Sequence, residues 1–299
     1  MKKIFLTGTS GFIGQHLLKV LAPIHHVHQF TGDIRYREDI EQEMEAFKPD
    51  VVVHLAAQTE VQNSFYDQDG FARTNFIGTI NMAESAVKHG VKKFVFASTM
   101  EVYGHHPFSD YLKNGGEFDP GHHVYDESTP LHPNSPYAVA KVACENYLEY
   151  LERTQGLQWV ALRQTNCYGR HDNDFFVTER IITQMLNSNE VNLGYKDPYR
   201  NFIYIDDLLE AWIVIIESDK AHGIYTIGPN NAIRIEDYAH MIADKIDWRG
   251  KINWDTQPAR PGEIWLLNSG HDKITADTDW KPQVDLSTGL DFTIAKWQK

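Results

Sequence analysis

Tyr137 and Lys141 stand four residues apart in Tyr137-Ala138-Val139-Ala140-Lys141, directly after Pro133-Asn134-Ser135-Pro136. On a helix, an i,i+4 spacing puts the phenol and the ammonium on one face. A nearby cation favours tyrosinate and lowers the phenol's pKa toward neutrality. Such a tyrosine can take the proton of an alcohol while hydride leaves the same carbon. A second set of reactive types lies in Ser98-Thr99-Met100-Glu101-Val102-Tyr103-Gly104. Extended side chains alternate with period two, which would turn Thr99 and Glu101 to one side. A hydroxyl to orient a substrate oxygen and a carboxylate to move a second proton would then share one site. Taken singly, the first motif also reads as an exposed helix pair and Glu101 as a solvated loop carboxylate.

Hydride needs an acceptor, and Thr7-Gly8-Thr9-Ser10-Gly11-Phe12-Ile13-Gly14 offers a place for one. Glycines between a strand and a helix let the backbone approach a pyrophosphate, and the helix start presents free N–H groups. The spacing is GxxGxxG and not the general GxGxxG fingerprint. The residue that would reach the ribose is usually acidic and follows the second strand. Phe30 and Thr31 occupy that region, and the first acidic candidate is Asp33, which also reads as a turn aspartate after Gly32.

These groups need a frame to hold them. Over residues 1–100, short apolar runs alternate with helical patterns: strands at Lys3–Thr7, His26–Phe30, Val51–Ala57 and Phe94–Ser98, helices at Gly11–Leu21, Arg37–Phe47 and Asn75–Lys88. This alternation predicts an α/β fold, a doubly wound parallel sheet of the Rossmann kind. Ser98–Gly104 then falls at the carboxyl end of a central strand, where open α/β sheets bind ligands. A helix is expected through Tyr137–Arg153, a strand at Trp159–Gln164, and further helices near Thr178–Asn187, Leu208–Glu217 and Ile235–Ile246. Residues 1–168 form the expected dinucleotide-binding domain, to which a segment near 201–225 returns. Residues 169–299 form a smaller C-terminal α/β substrate domain. Between Gly104 and Ser135 the periodicity stops, and a stretch this long reads as a lid or binding loop, with a surface insertion as the alternative.

At 299 residues, with 42% hydrophobic and 23% charged, the chain has the composition of a globular protein with an ample core. The net charge of −13 argues against a nucleic-acid partner, which needs a basic face. It also means that an anionic ligand must be held by local donors. The N-terminus meets Gly8 too soon for a signal-peptide core, and no apolar run approaches the roughly 18 residues of a membrane span. A cytoplasmic protein without membrane contact is expected. Cys144 and Cys167 have no disulfide or metal-ligand spacing and read as small core residues. The histidine pairs at 25–26, 105–106 and 122–123 read as surface residues, with no metal assigned, although His105 or His106 could border a substrate. Asp206 and Asp207 read as helix caps.

Together the motifs resemble the extended short-chain dehydrogenase/reductase family, specifically its nucleotide-sugar epimerases and dehydratases. The resemblance runs nearly end to end. It is carried by Thr7–Gly14, by Gly32-Asp33-Ile34, by His54-Leu55-Ala56-Ala57 and by Asn75-Phe76-Ile77-Gly78-Thr79. Further along it rests on Leu162–Gly169, Arg200–Asp207 and Arg260-Pro261-Gly262-Glu263. It implies NAD or NADP, NAD placed first, held by Gly8, Gly11, Phe12, Ile13, Gly14, Asp33 (at the adenine amino group), Ile34, Leu55, Ala56, Ala57, Asn75, Ser98, Tyr137 and Lys141. Thr99, Tyr137 and Lys141 would be the catalytic triad, with Glu101 as a further acid–base group. Thr99, Met100, Glu101, Asn166, Arg200 and Arg260 would meet a nucleotide-diphosphate sugar. The family often forms dimers through helices flanking the sheet, so a homodimer is compatible with the resemblance.

The sequence departs from the family pattern twice. The second-strand region is shortened, as in related dTDP-sugar reductases. Met100 stands between Thr99 and Glu101 where the family commonly has Asp or Ser, and a thioether cannot donate a proton. That speaks against a dTDP-glucose-type dehydratase in particular. The resulting order of readings is a 4,6-dehydratase acting through a 4-keto sugar, then a 4-epimerase. A UDP-glucuronate-type decarboxylase or an NADPH-dependent ketosugar reductase follows, and a non-enzymatic dinucleotide-binding protein comes last.

Overall fold

A computed structural model describes residues 1–257 and 260–298. Six parallel strands form the central sheet: β1 Lys3–Thr7, β2 His26–Phe30, β3 Val51–His54, β4 Lys93–Thr99, β5 Trp159–Gln164, and a sixth at Gly223–Ile227. Their spatial order runs from the sixth strand through β5, β4, β3 and β1 to β2. Every residue of β3 and β4 is buried, as expected of strands covered by helices on both faces. The order reverses between β1 and β3, so a crevice opens there at the strands' carboxyl ends.

The sixth strand arrives only after the chain has left the sheet. Helix Val177–Asn187 and a three-stranded sheet built from Tyr199–Arg200, Ile233–Arg234 and Leu266–Leu267 lie outside the main sheet. Helix Ile205–Glu217 then carries the chain back, packing on helix α1, Phe12–Leu21. One apolar cluster runs without a break from Ile4 and Leu6 through Trp212 to Ile182 and Tyr238. Among the described residues no helix is long and apolar enough to cross a membrane.

Several local expectations change. The third strand stops at His54 because the next two N–H groups, of Leu55 and Ala56, turn to the Thr7 hydroxyl. The helix expected from Asn75 begins as a wider turn, Ala72–Ile77, before Gly78–Lys88. Asp206 and Asp207 do not cap their helix, which starts at Ile205 without a side-chain cap. Asp207 is buried instead and accepts the N–H groups of Gln283 and Val284 at 3.0 and 2.9 Å.

The 104–135 stretch is no lid. It holds one helix, Pro107–Lys113, and is strapped to the small sheet. Tyr125 donates its N–H to Asn268 O and accepts that of Gly270, while Ser109 Oγ accepts the N–H of Trp265. Phe118 stacks on Tyr199 with ring centroids 4.5 Å apart. His105 pairs with Asp110, and His106 Nδ1 accepts the Phe108 N–H as a helix cap. Neither histidine borders the cavity described next. What looked like an unstructured run is an aromatic and histidine cluster, invisible to periodicity because its contacts are distant in sequence.

Candidate active site

A cavity of about 960 Å³ runs along the carboxyl ends of β1, β3 and β4. Its floor at one end is the glycine turn. Gly8 has φ +73°, and a Cβ there would lie 2.7 Å from Ala56 N. A Cβ on Gly14 would lie 2.0 Å from Gly8 O. Packing alone therefore dictates these two glycines. Gly11 differs: its nearest neighbour would be Gly8 O at 3.4 Å, and it borders the cavity. A bare backbone facing open space suits a ligand that must come close. No side chain caps α1, so its first N–H groups and positive dipole end face the same space. The donor set and the space fit a dinucleotide.

The wall beside the turn is set by a buried relay whose polarity can be followed proton by proton. Thr79 gives its hydroxyl proton to Asn75 O at 2.6 Å, so it must accept from His54 Nε2 at 3.1 Å. His54 Nδ1 then accepts from the Thr7 hydroxyl at 2.9 Å, and Thr7 Oγ1 in turn accepts the N–H groups of Leu55 and Ala56. Burial holds His54 neutral, with its pKa pulled down to about 3. Leu55, Ala56 and Ala57 are thereby fixed on the cavity wall. Asn75, expected to touch the cofactor, does not border the cavity. Its buried amide clasps Gln58, accepting its N–H and donating to its carbonyl. It shapes the lining from behind. Gly32, Asp33 and Ile34 line the outer end, where Asp33 forms a bidentate pair with Arg35 that holds its carboxyl below the usual range.

At the inner end Ser98, Thr99, Glu101, Tyr137 and Lys141 converge on the cavity. Ser135 caps helix Pro136–Gln155, accepting the Ala138 N–H, and Pro136 fixes its first turn. That places Tyr137 one residue inside the helix, 8% exposed. Burial pushes its phenol pKa up, and the Glu101 charge adds to this, while a hydrogen bond to Thr99 opposes it. Lys141 is buried as well and pulled down to about 8. Its Nζ donates to Ala97 O at 2.6 Å and lies 5.8 Å from the Tyr137 ring centroid. The expected lowering of the phenol's pKa by its lysine is therefore absent from this arrangement, where desolvation is the larger effect.

Beyond Thr99 the chain does not stay extended. Thr99 Oγ1 accepts the Glu101 N–H and caps a 3₁₀ turn, Met100–Tyr103. Thr99 and Glu101 still share the cavity, but Met100, expected at the substrate, does not line it. Its side chain is buried with its sulfur against the Thr165 hydroxyl. Glu101 has its pKa raised by burial, opposed by Arg260 and Arg200. Asn166, Arg200 and Arg260 all border the cavity, and Arg200 is paired with Glu263 at 2.8 Å.

The residues missed from sequence sit behind these. Glu145 and Arg163 form an ion pair at 2.7 Å with both side chains 5% exposed. Glu145 also accepts from Ser98, and Arg163 donates to the Tyr103 hydroxyl. The pair anchors the end of β4 from below. Two signals could have found it: Glu145 lies one turn beyond Lys141, and Arg163 interrupts a buried strand. Arg170 and Arg180 also border the cavity without having been singled out.

The profile of the NAD dependent epimerase/dehydratase family matches residues 4–228, and the chain belongs to that family. Over 99% of its length it is 26% identical to the GDP-6-deoxy-D-mannose reductase of Pseudomonas aeruginosa, covering 97% of that protein. It is 28% identical to the dTDP-D-glucose 4,6-dehydratase of Mus musculus, over 100% of this chain and 89% of that one. The UDP-glucose 4-epimerase of Thermus thermophilus, solved with NAD, superposes with a TM-score of 0.86 at 28% identity, covering 99% of both chains.

Proposed function

We propose that this enzyme remodels the sugar of a nucleotide-diphosphate sugar through a 4-keto intermediate, with a 4,6-dehydration as its first reading. In this reading residues 1–168, with about 201–225, hold the cofactor, residues 169–299 hold the nucleotide, and the protein is cytoplasmic. A bound nicotinamide supplies the hydride chemistry that interconverts a ring hydroxyl and a ketone. Tyr137 takes the C4 hydroxyl proton, Thr99 holds the oxygen, and Lys141 holds positive charge beneath the phenol. In the dehydration the C5 proton and C6 hydroxyl leave as water, C6 receives the hydride and the C4 ketone stays in the product. Only in an epimerisation does Tyr137 give the proton back. Asn166, Arg200 and Arg260 grip the diphosphate and its nucleotide. The observation that carries the reading is Glu101 beside Tyr137 and Thr99 in one cavity. A ketone acidifies the neighbouring C–H, and a carboxyl whose pKa burial raises above its ordinary value is a stronger base for moving that proton.

One observation favours a second reading, 4-epimerisation. Met100 is buried against Thr165, so the segment offers no second acid for a departing hydroxyl. Incubation with UDP-, GDP- and dTDP-hexoses decides between them by product mass. Loss of one water speaks for dehydration, and an isomer of unchanged mass for epimerisation. Under the first reading Glu101→Gln abolishes the uptake of deuterium from D₂O at the carbon beside the ketone and lowers kcat by about 10²–10⁴. Under the second it leaves turnover within about tenfold. The exposed Ile77, Val139 and Tyr150, on adjoining helical segments beside the sheet, suit a homodimer.

A further inference from the structure

Arg170 and the first turn of α1 meet at one point of the cavity, although they come from opposite parts of the chain. The Arg170 guanidinium lies 4.2 Å from the ring centroid of Phe12, inside the glycine turn. It lies 4.0 Å from that of Phe176, the residue preceding helix Val177–Asn187. The residue is only 6% exposed, yet it borders the cavity together with Phe12, Ile13 and Gly14. One terminal nitrogen donates to Cys167 O at 2.6 Å. Buried Glu179 stands 3.8 Å from that nitrogen without hydrogen-bonding to it, and its other oxygen accepts the N–H groups of Gly169 and Arg170. Arg170 Nε has no partner among the described residues.

A buried guanidinium with uncommitted donors is costly. Contact with the two rings offsets part of that cost and leaves the donors unmet. The location makes matters worse, because an uncapped helix start carries partial positive charge of the same sign. An anion shared by both resolves the conflict. Of the other cavity cations, Lys141 is held by Ala97 O, Arg200 by Glu263 and Arg180 by Phe175 O, and Arg260 lies toward Glu101 at the inner end.

We infer that Arg170 completes the diphosphate site of the dinucleotide, closing from the second half of the chain the cradle that the glycine turn and α1 begin. A planar fork held in contact with two rings has little entropy left to lose when it meets a phosphate oxygen. Because Arg170 bridges Phe12 and Phe176, its contact with the diphosphate would slow release of the dinucleotide. Slow release suits a cofactor that is regenerated within each turnover. The inference rests on the reading of the cavity as a dinucleotide site and not on which sugar reaction follows.

Arg170→Met keeps the unbranched stem against both rings and removes the charge. Calorimetric titration of the intact protein with ADP and with adenosine isolates the diphosphate. A lost charge-assisted hydrogen bond is expected to weaken ADP and NADH about 10- to 100-fold, with adenosine changed less than about twofold and NADH release accelerated in stopped flow. Equal weakening of ADP and adenosine, or no weakening of either, overturns the inference, as does failure of ADP to bind the unsubstituted protein. Should Arg170→Met not fold, Arg170→Lys retains the charge but not the fork. A several-fold fall in the ADP-to-adenosine affinity ratio supports the assignment, and an unchanged ratio overturns it. A chain that passes these tests but turns over no nucleotide sugar loses the proposed reaction and keeps the assignment.

Discussion

The two ends of the cavity handle charge in opposite ways. At the inner end Tyr137, Lys141 and the Glu145–Arg163 pair are all buried, and desolvation dominates the titration of Tyr137 and Lys141. At the outer end Asp33 and Arg35 pair in contact with water, with side chains 32% and 47% exposed. Chemistry that moves protons belongs where a single charge is strongly felt. Recognition of a polar nucleotide edge can be left to screened groups that cost little when empty. The dry end should therefore respond to substitution steeply and the wet end hardly at all.

The steepest test is Tyr137→Phe, expected to lower kcat by about 10²–10⁴ while the urea midpoint stays in place. Turnover within tenfold of the original would move the chemistry away from this end. Next comes Glu145→Gln, which leaves Arg163 buried beside a neutral amide and should remove about 3–5 kcal/mol of stability in urea unfolding. The double variant with Arg163→Met should recover a large part of that loss. Lys141 gives a third, pH-resolved effect. Its folded pKa of about 8 lies below its ordinary 10.5, so between those values the unfolded chain holds more protons and stability rises with pH. Lys141→Met should lack this rise, on the order of 3 kcal/mol when complete. Buried tyrosines with raised pKa values oppose the rise above about pH 10, equally in both proteins. Smallest of all, Arg35→Gln at the wet end should leave the unfolding midpoint where it was. A clear shift there would erase the contrast.

Much of this division could be read in the sequence. The apolar runs of β1, β3 and β4 announced a buried parallel sheet, and the glycine spacing placed the turn on its first crossover. Tyr137, Lys141, Thr99 and Glu101 were legible because reactive types recur at spacings tied to local geometry. Met100 and Asn75 were misplaced for one shared reason. A linear pattern names the neighbours of a site but not the direction in which each side chain leaves the backbone. The 3₁₀ turn after Thr99 sends Met100 into the core, and the wide turn at Ala72–Ile77 aims Asn75 at Gln58. Glu145 and Arg163 were hidden because they meet across a helix and a strand, and Arg170 because Phe12, which it joins to Phe176, comes from the opposite part of the chain. The strap at 104–135 was unreadable for a similar reason, since most of its aromatic contacts join residues far apart in sequence.

The late arrival of the strand at Gly223–Ile227 has a practical consequence. A polypeptide ending near residue 168 would leave β5 as a bare margin, its N–H and C=O groups open to any other chain in extended form. Such a fragment should clump when expressed by itself and be rescued by co-expression with the remaining piece, whose returning strand covers that margin. Interleaving of this kind makes the two halves obligate companions, inherited or lost together.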